Sequence, residues 1–206
     1  MLRQALLSAA FALCTTGVFA QSEIGQWSIQ PKAGINVATM TNSDGGDARV
    51  GFVGGAELEY RATSQFALSF GALYSQQGIK ANTDEGNGTI KMDYINVPIL
   101  ANIYVYKGLA LKFGVQPGFK VNSKIKVAAN GVSAEVDLEK ALRAGDVDDA
   151  SVKSVDLAIP VGVSYCYKNF QFDARYNIGV TNAITADGDG TKNSVFQFTL
   201  GYKFAL

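Results

Sequence analysis

The sequence predicts an all-β fold: an eight-stranded antiparallel up-and-down transmembrane β-barrel with short periplasmic turns and long extracellular loops. Three observations carry this. Apolar and polar residues alternate with a period of two over stretches far longer than ordinary strands. The connections between those stretches are alternately short and long. Aromatic residues gather toward the ends that the short connections join.

Residues 1–20 read as a secretory signal, cleaved after Ala20. Arg3 supplies the positive start, an apolar run follows from Ala5 to Leu13, and Val18-Phe19-Ala20 places small residues at −3 and −1. Residues 21–206 then form one barrel domain. They retain a single cysteine, Cys166, which cannot form an internal disulfide. No run after residue 20 is long and apolar enough for a spanning helix.

The first four strands are read over 26–40, 49–61, 65–76 and 89–106. The fifth, 109–126, sets Leu109, Leu111, Phe113, Val115 and Phe119 against Lys112, Gln116 and Lys120. The sixth, 153–167, alternates strictly from Val155 to Tyr167, odd positions large and apolar, even ones small or polar. The seventh, 170–180, opposes an apolar face to Gln171, Asp173, Arg175 and Asn177. The eighth, 193–204, opposes Phe196, Phe198, Leu200, Tyr202 and Phe204 to Gln197, Thr199, Gly201 and Lys203. These strands are about twice the mean of about five or six residues. They match the about 9–11 residues that a tilted strand needs to cross a bilayer.

Residues 62–64, 107–108 and 168–169 are the short connections, and 41–48, 77–88, 127–152 and 181–192 the long, Gly/Asp/Asn-rich ones. Eleven of the twenty aromatics after residue 20 lie near the short-turn end: Trp27, Tyr60, Phe66, Tyr104, Tyr106, Tyr165, Tyr167, Phe170, Phe172, Tyr202 and Phe204. Such a girdle fits a headgroup layer. The apolar face is bulky and the polar face is small and glycine-containing, so the polar face is expected inside a narrow lumen. A soluble lipocalin-like barrel would reverse the faces.

The lumen is then expected to hold Lys32, Glu57, Glu59, Lys112, Lys120, Asp156, Asp173, Arg175 and Lys203 as a salt-bridged plug. The competing reading is a narrow transport channel. Pro31, Pro98, Pro117 and Pro160 fall within strands and are read as bulges. In the third long connection, Asn130-Gly131 predicts a hairpin between 123–129 and 132–138, followed by helical turns over 139–144. Residues 129–150 are acidic, a solvated loop or a surface for a cation or partner. Asp187-Gly188-Asp189-Gly190 fails the calcium-loop pattern, because Lys192 and Phe198 stand where Gly and Glu are needed.

Lysine plus arginine and aspartate plus glutamate both number 18, so no basic surplus is available for nucleic acid. The absence of histidine removes histidine-based catalysis and metal ligation. No catalytic, cofactor-binding or metal site is expected, and no enzyme.

Six segments in order carry a family resemblance: 32–36, 58–60, 73–78, Asp93-Tyr94-Ile95-Asn96-Val97-Pro98-Ile99-Leu100, 114–118, and Asp173-Ala174-Arg175-Tyr176-Asn177-Ile178-Gly179-Val180-Thr181-Asn182. They resemble the PorT-like outer-membrane β-barrels of Bacteroidota over nearly the whole chain after residue 20. The resemblance implies an outer-membrane location and an eight-stranded barrel, and its name-giving member supports protein secretion. The expected function is a non-enzymatic barrel with a structural or loop-mediated role. Its partners would be outer-membrane lipids and a protein met through the extracellular loops. A narrow transport channel and a soluble periplasmic binder are the competing readings.

Overall fold

Each strand places bulky apolar residues on one side and small polar residues on the other, so a flat sheet would leave one face wrong in any solvent. Closure resolves this by giving the two faces different surroundings. The computed structural model describes residues 23–41, 46–83, 86–129, 132–138, 140, 151–186 and 189–206. The signal segment, residues 187–188 and almost all of 139–150, including the expected helical turns, lie outside the described residues.

The strands are β1 Trp27–Met40, β2 Gly46–Arg61, β3 Phe66–Thr83, β4 Gly86–Asn96, β5 Ile99–Tyr106, β6 Leu109–Ala129, β7 Val132–Asp137, β8 Ser151–Val152, β9 Val155–Tyr167, β10 Phe170–Gly179, β11 Ile184–Ala186, β12 Asp189–Thr191, β13 Asn193–Tyr202 and β14 Phe204–Ala205. β4 and β5 form one stave broken at Val97-Pro98, β13 and β14 another broken at Lys203, and β7 hangs from β6. The wall is therefore a closed eight-stranded antiparallel barrel. Closure runs from Lys32↔Gly201 to Met40↔Asn193 between β1 and β13, with Ser28↔Ala205 continuing it onto β14.

The burial pattern is inverted relative to a water-soluble core. Phe52, Phe113, Val161, Phe172, Phe196 and Phe198 are exposed on the outer wall, while Gln30, Asn36, Glu57, Lys112, Arg175 and Gln197 are buried. An outer wall of this composition is stable against hydrocarbon and not against water. At the short-turn end, Trp27 lies 4.9 Å from Tyr60, and Tyr202 lies 5.2 Å from Phe170 and 4.6 Å from Phe204, ring to ring.

Three expectations are corrected. Residues 77–83 and 86–88 are ladder rather than loop: β3 and β4 pair from Leu73↔Asn96 to Thr83↔Gly86. Its cause is an apolar cluster of Met40, Ile79, Met92, Tyr94, Leu138 and Ala183 that roofs the lumen at the long-loop end. Holding Ile79 and Met92 in that roof requires the strands to continue upward. Second, the prolines are not bulges. Register shifts fall at Ala48/Val53, Asp93/Tyr94 and Tyr104/Tyr106. Pro117 instead faces the break at Val97-Pro98, Pro31 lies beside the break at Lys203, and Pro160 sits where the β6–β9 ladder skips Gly114 and Val115. A residue without an N–H settles where the ladder is already interrupted. Third, Tyr104 leaves the aromatic girdle and turns inward, donating to Glu59 Oε1 at 2.8 Å.

The hairpin about residues 130–131 is present as β6–β7, with Ala129↔Val132 at its tip. Lys91 pairs with Glu135 across this upper edge, and that hydrogen bond and charge hold the Glu135 carboxyl below the usual carboxylate range. A depressed carboxyl contributes stability above its unfolded pKa, and that contribution is lost as pH falls through the folded one. The β7 amides should therefore lose exchange protection, relative to intrinsic rates, as pH drops below about 4. Glu135→Gln should show the weaker protection already at neutral pH; a variant with wild-type protection throughout would refute the linkage.

Candidate functional site

The lumen gathers a cluster of buried charges. β1 supplies Lys32, β2 Glu57, β6 Lys112, and β10 both Asp173 and Arg175, all on inward positions and all nearly inaccessible. Lys32 Nζ lies 2.6 Å from Glu57 Oε2 and 3.7 Å from Asp173 Oδ2. Lys112 Nζ lies 2.5 Å from Asp173 Oδ2 and 4.0 Å from Glu57. Arg175 bridges the two acids, Nη2 to Glu57 Oε1 at 2.5 Å and Nε to Asp173 Oδ1 at 2.6 Å. Three cations thus share two carboxylates, and the cluster crosses the barrel from wall to wall. Buried charges persist only when paired and hydrogen-bonded in this way.

Glycine makes the space. Gly162 stands opposite Arg175, and a Cβ there would come within 2.3 Å of Ala174 O and 2.9 Å of Arg175 Cγ. Gly71 stands opposite Glu57, where a Cβ would meet Ala56 O at 2.2 Å and Glu57 Cγ at 2.8 Å.

Toward the short turns, Glu59 collects a second node. Lys203 Nζ lies 2.8 Å from its Oε1, and Asn102 Nδ2 donates to its Oε2 at 3.1 Å. Lys203 also reaches the Tyr104 hydroxyl at 3.2 Å. Toward the long loops, Asp156 accepts from Thr181 Oγ1 at 2.8 Å and from Asn193 Nδ2 at 2.9 Å. Gln77, Asn96, Gln116, Asn177 and Asn193 surround a cavity of only about 10 Å³ beside it. Above this layer sits the apolar roof.

Seven of the nine expected lumen residues therefore fall into two touching groups: Lys32, Glu57, Lys112, Asp173 and Arg175 in one, Glu59 and Lys203 in the other. Asp156 is buried but belongs to the amide layer, with neutral donors. Lys120 is half-buried at the register shift where Tyr94 faces Lys120 and Asp93 faces Asn122, outside both groups. Sequence reasoning missed Arg49 and Asp93, a buried pair 4.0 Å apart with Tyr74 and Asn122 donating to the acid. Arg49 shares its parity with Glu57, which could have revealed it. Asp93 sits in the bulge, where Met92, Asp93 and Tyr94 are all buried and parity fails.

Solved structures that the chain resembles include three bacterial proteins. Ail, the attachment invasion locus protein of Yersinia pestis, is 15% identical, with 88% of this chain and 100% of that one covered and a TM-score of 0.45. Neisserial surface protein A is 14% identical, with 86% and 96% covered and a TM-score of 0.45. OprG from Pseudomonas aeruginosa is 12% identical, with 90% and 97% covered and a TM-score of 0.42. The comparison with curated proteins gives no match. Residues 19–185 match the outer membrane protein beta-barrel domain, and with its closed wall, apolar exterior and charged interior the chain belongs to that outer-membrane family.

Proposed function

We propose that this outer-membrane protein is a non-enzymatic, non-conducting barrel that holds a structured long-loop end for contact with a protein partner. The observation that carries the reading is closure of the lumen at separate levels. The Lys32–Glu57–Lys112–Asp173–Arg175 cluster crosses the middle, and the Met40–Ile79–Met92–Leu138 roof covers the loop end. An eight-stranded barrel has room for side chains and little else. The loop end is itself built: β8 from the third long connection pairs with β11 of the fourth, and β11 with β12. The segments 93–100 and 173–182 support a place among PorT-like barrels, and a secretion defect on deleting the protein would extend the role of the name-giving member to it.

Reconstitution in planar bilayers tests the plug. The expected result is insertion, shown by a heat-dependent gel shift, without unitary conductance steps. Regular steps from the wild-type protein would overturn the reading in favour of a narrow channel.

A further inference from the structure

We propose that the short-turn mouth of the barrel binds a phosphate-class anion between Arg61, Lys107 and Lys203. A cavity of about 250 Å³ opens there, lined by these three cations together with Ser64, Tyr104 and Gly108, among others. This volume accommodates a phosphate group with part of its ester.

The cations are arranged to receive one. The Arg61 guanidinium lies 3.7 Å over the Tyr104 ring centre. Its Nε donates to Thr63 O at 3.1 Å and its Nη2 to Ser64 O at 2.5 Å. The side chain is thus fixed before any ligand arrives, with Nη1 left to donate, and such preorganisation lowers the cost of binding. Lys203 Nζ spends two protons on Glu59 and Tyr104, which leaves a third. Lys107 is exposed at the tip of the two-residue turn between β5 and β6, where Gly108 takes the positive φ of 79°. Three donors from separate directions suit a tetrahedral oxyanion better than a planar carboxylate.

The field behind the pocket has the same sign. From the mouth to mid-lumen stand Arg61, Lys107, Lys203, Lys32, Lys112 and Arg175, against Glu59, Glu57 and Asp173. Three positive charges are left over, inside low-dielectric walls that focus their field on the opening. The rim adds Lys168, whose φ of 54° lies in the left-handed region. Among the described residues, Glu23 ahead of β1 is the one other side-chain carboxylate at this end, and it is exposed.

The phosphate could come from a phospholipid headgroup of the adjacent leaflet or from a free phosphate in the surrounding fluid, and two arms separate them. In neutral maltoside micelles, inorganic phosphate is titrated against the ¹⁵N-labelled barrel, with the amides of Lys107, Gly108 and Lys203 observed and chloride as control. In vesicles of equal phosphatidylglycerol and phosphatidylcholine, native mass spectrometry reads the lipid retained after extraction. Saturable shifts confined to the mouth, weakened about tenfold by Lys107→Gln, identify free phosphate. Selective retention of phosphatidylglycerol, lost in Lys107→Gln, identifies the headgroup. Arg61→Gln should act likewise but also loosens the 62–65 turn, so Lys107→Gln, whose ammonium has no hydrogen bond or ion pair among the described residues, decides. Folding of each variant is checked by its gel shift. Equal responses to chloride and phosphate without lipid selectivity would overturn the proposal, as would wild-type binding by a folded Lys107→Gln.

Discussion

Asp173→Asn destabilises the barrel by about 3–5 kcal/mol, and Arg175→Met by less, about 1–3 kcal/mol. The order follows from counting the charges that remain. Asp173 faces Lys112 at 2.5 Å, Arg175 at 2.6 Å and Lys32 at 3.7 Å. Without its charge, three buried cations share Glu57 alone. Removing Arg175 instead leaves Lys32 and Lys112 balanced against Glu57 and Asp173, and the loss is confined to carboxylate oxygens without a donor. Intuition ranks the central, fully buried arginine first; the charge inventory ranks the aspartate first. Urea titration of vesicle-embedded protein checks the order through the fluorescence of Trp27, the chain's single tryptophan. A cost below about 1 kcal/mol for Asp173→Asn, or a larger cost for Arg175→Met, would show that the cluster is wet and screened rather than a dry plug.

Much of the wall was legible because its signal is local. In 155–167 and 170–180 every side chain declares its face, and a strand's parity is a property of its own residues. The same parity placed Lys32, Glu57, Lys112, Asp173 and Arg175 inside, but not which acid meets which base. That depends on the register between β1, β2, β6 and β10, which is set by closure of the whole barrel.

The failures share a cause. Residues 77–88 carry Gly, Asn and Asp and read as a loop, yet Ile79, Met92 and Leu138, distant in sequence, meet in one roof and draw the strands upward. The bulge at Asp93/Tyr94 buries three successive residues, so two-residue counting loses Asp93 there. Tyr104 follows the inward parity of Asn102; Tyr106 shares that parity in the sequence, and the register shift between the two turns it outward. Proline in a strand suggested a bulge because the sequence shows the missing donor and not the neighbouring gap that makes it harmless.

The sharpest test of the wall is Val161→Arg. Val161 sits at the middle of β9, half-exposed on the outer surface, with Phe113 and Tyr176 as its cross-strand neighbours. A cation at the bilayer midplane costs about 2–4 kcal/mol, and one near the interface about 0–1 kcal/mol. Tyr167, on the same strand and face but at the short-turn rim, is the matched shallow site. The expected result is a steep difference, with Val161→Arg strongly destabilised in vesicles and Tyr167→Arg close to wild type. Both positions are open to solvent in the folded chain, so a barrel surrounded by water would tolerate either change, as exposed surface positions generally do. A flat profile would therefore mean that the apolar wall does not meet lipid. Depth dependence along one strand separates the two surroundings because the fold is the same in both, and only the medium outside it sets the cost of the charge.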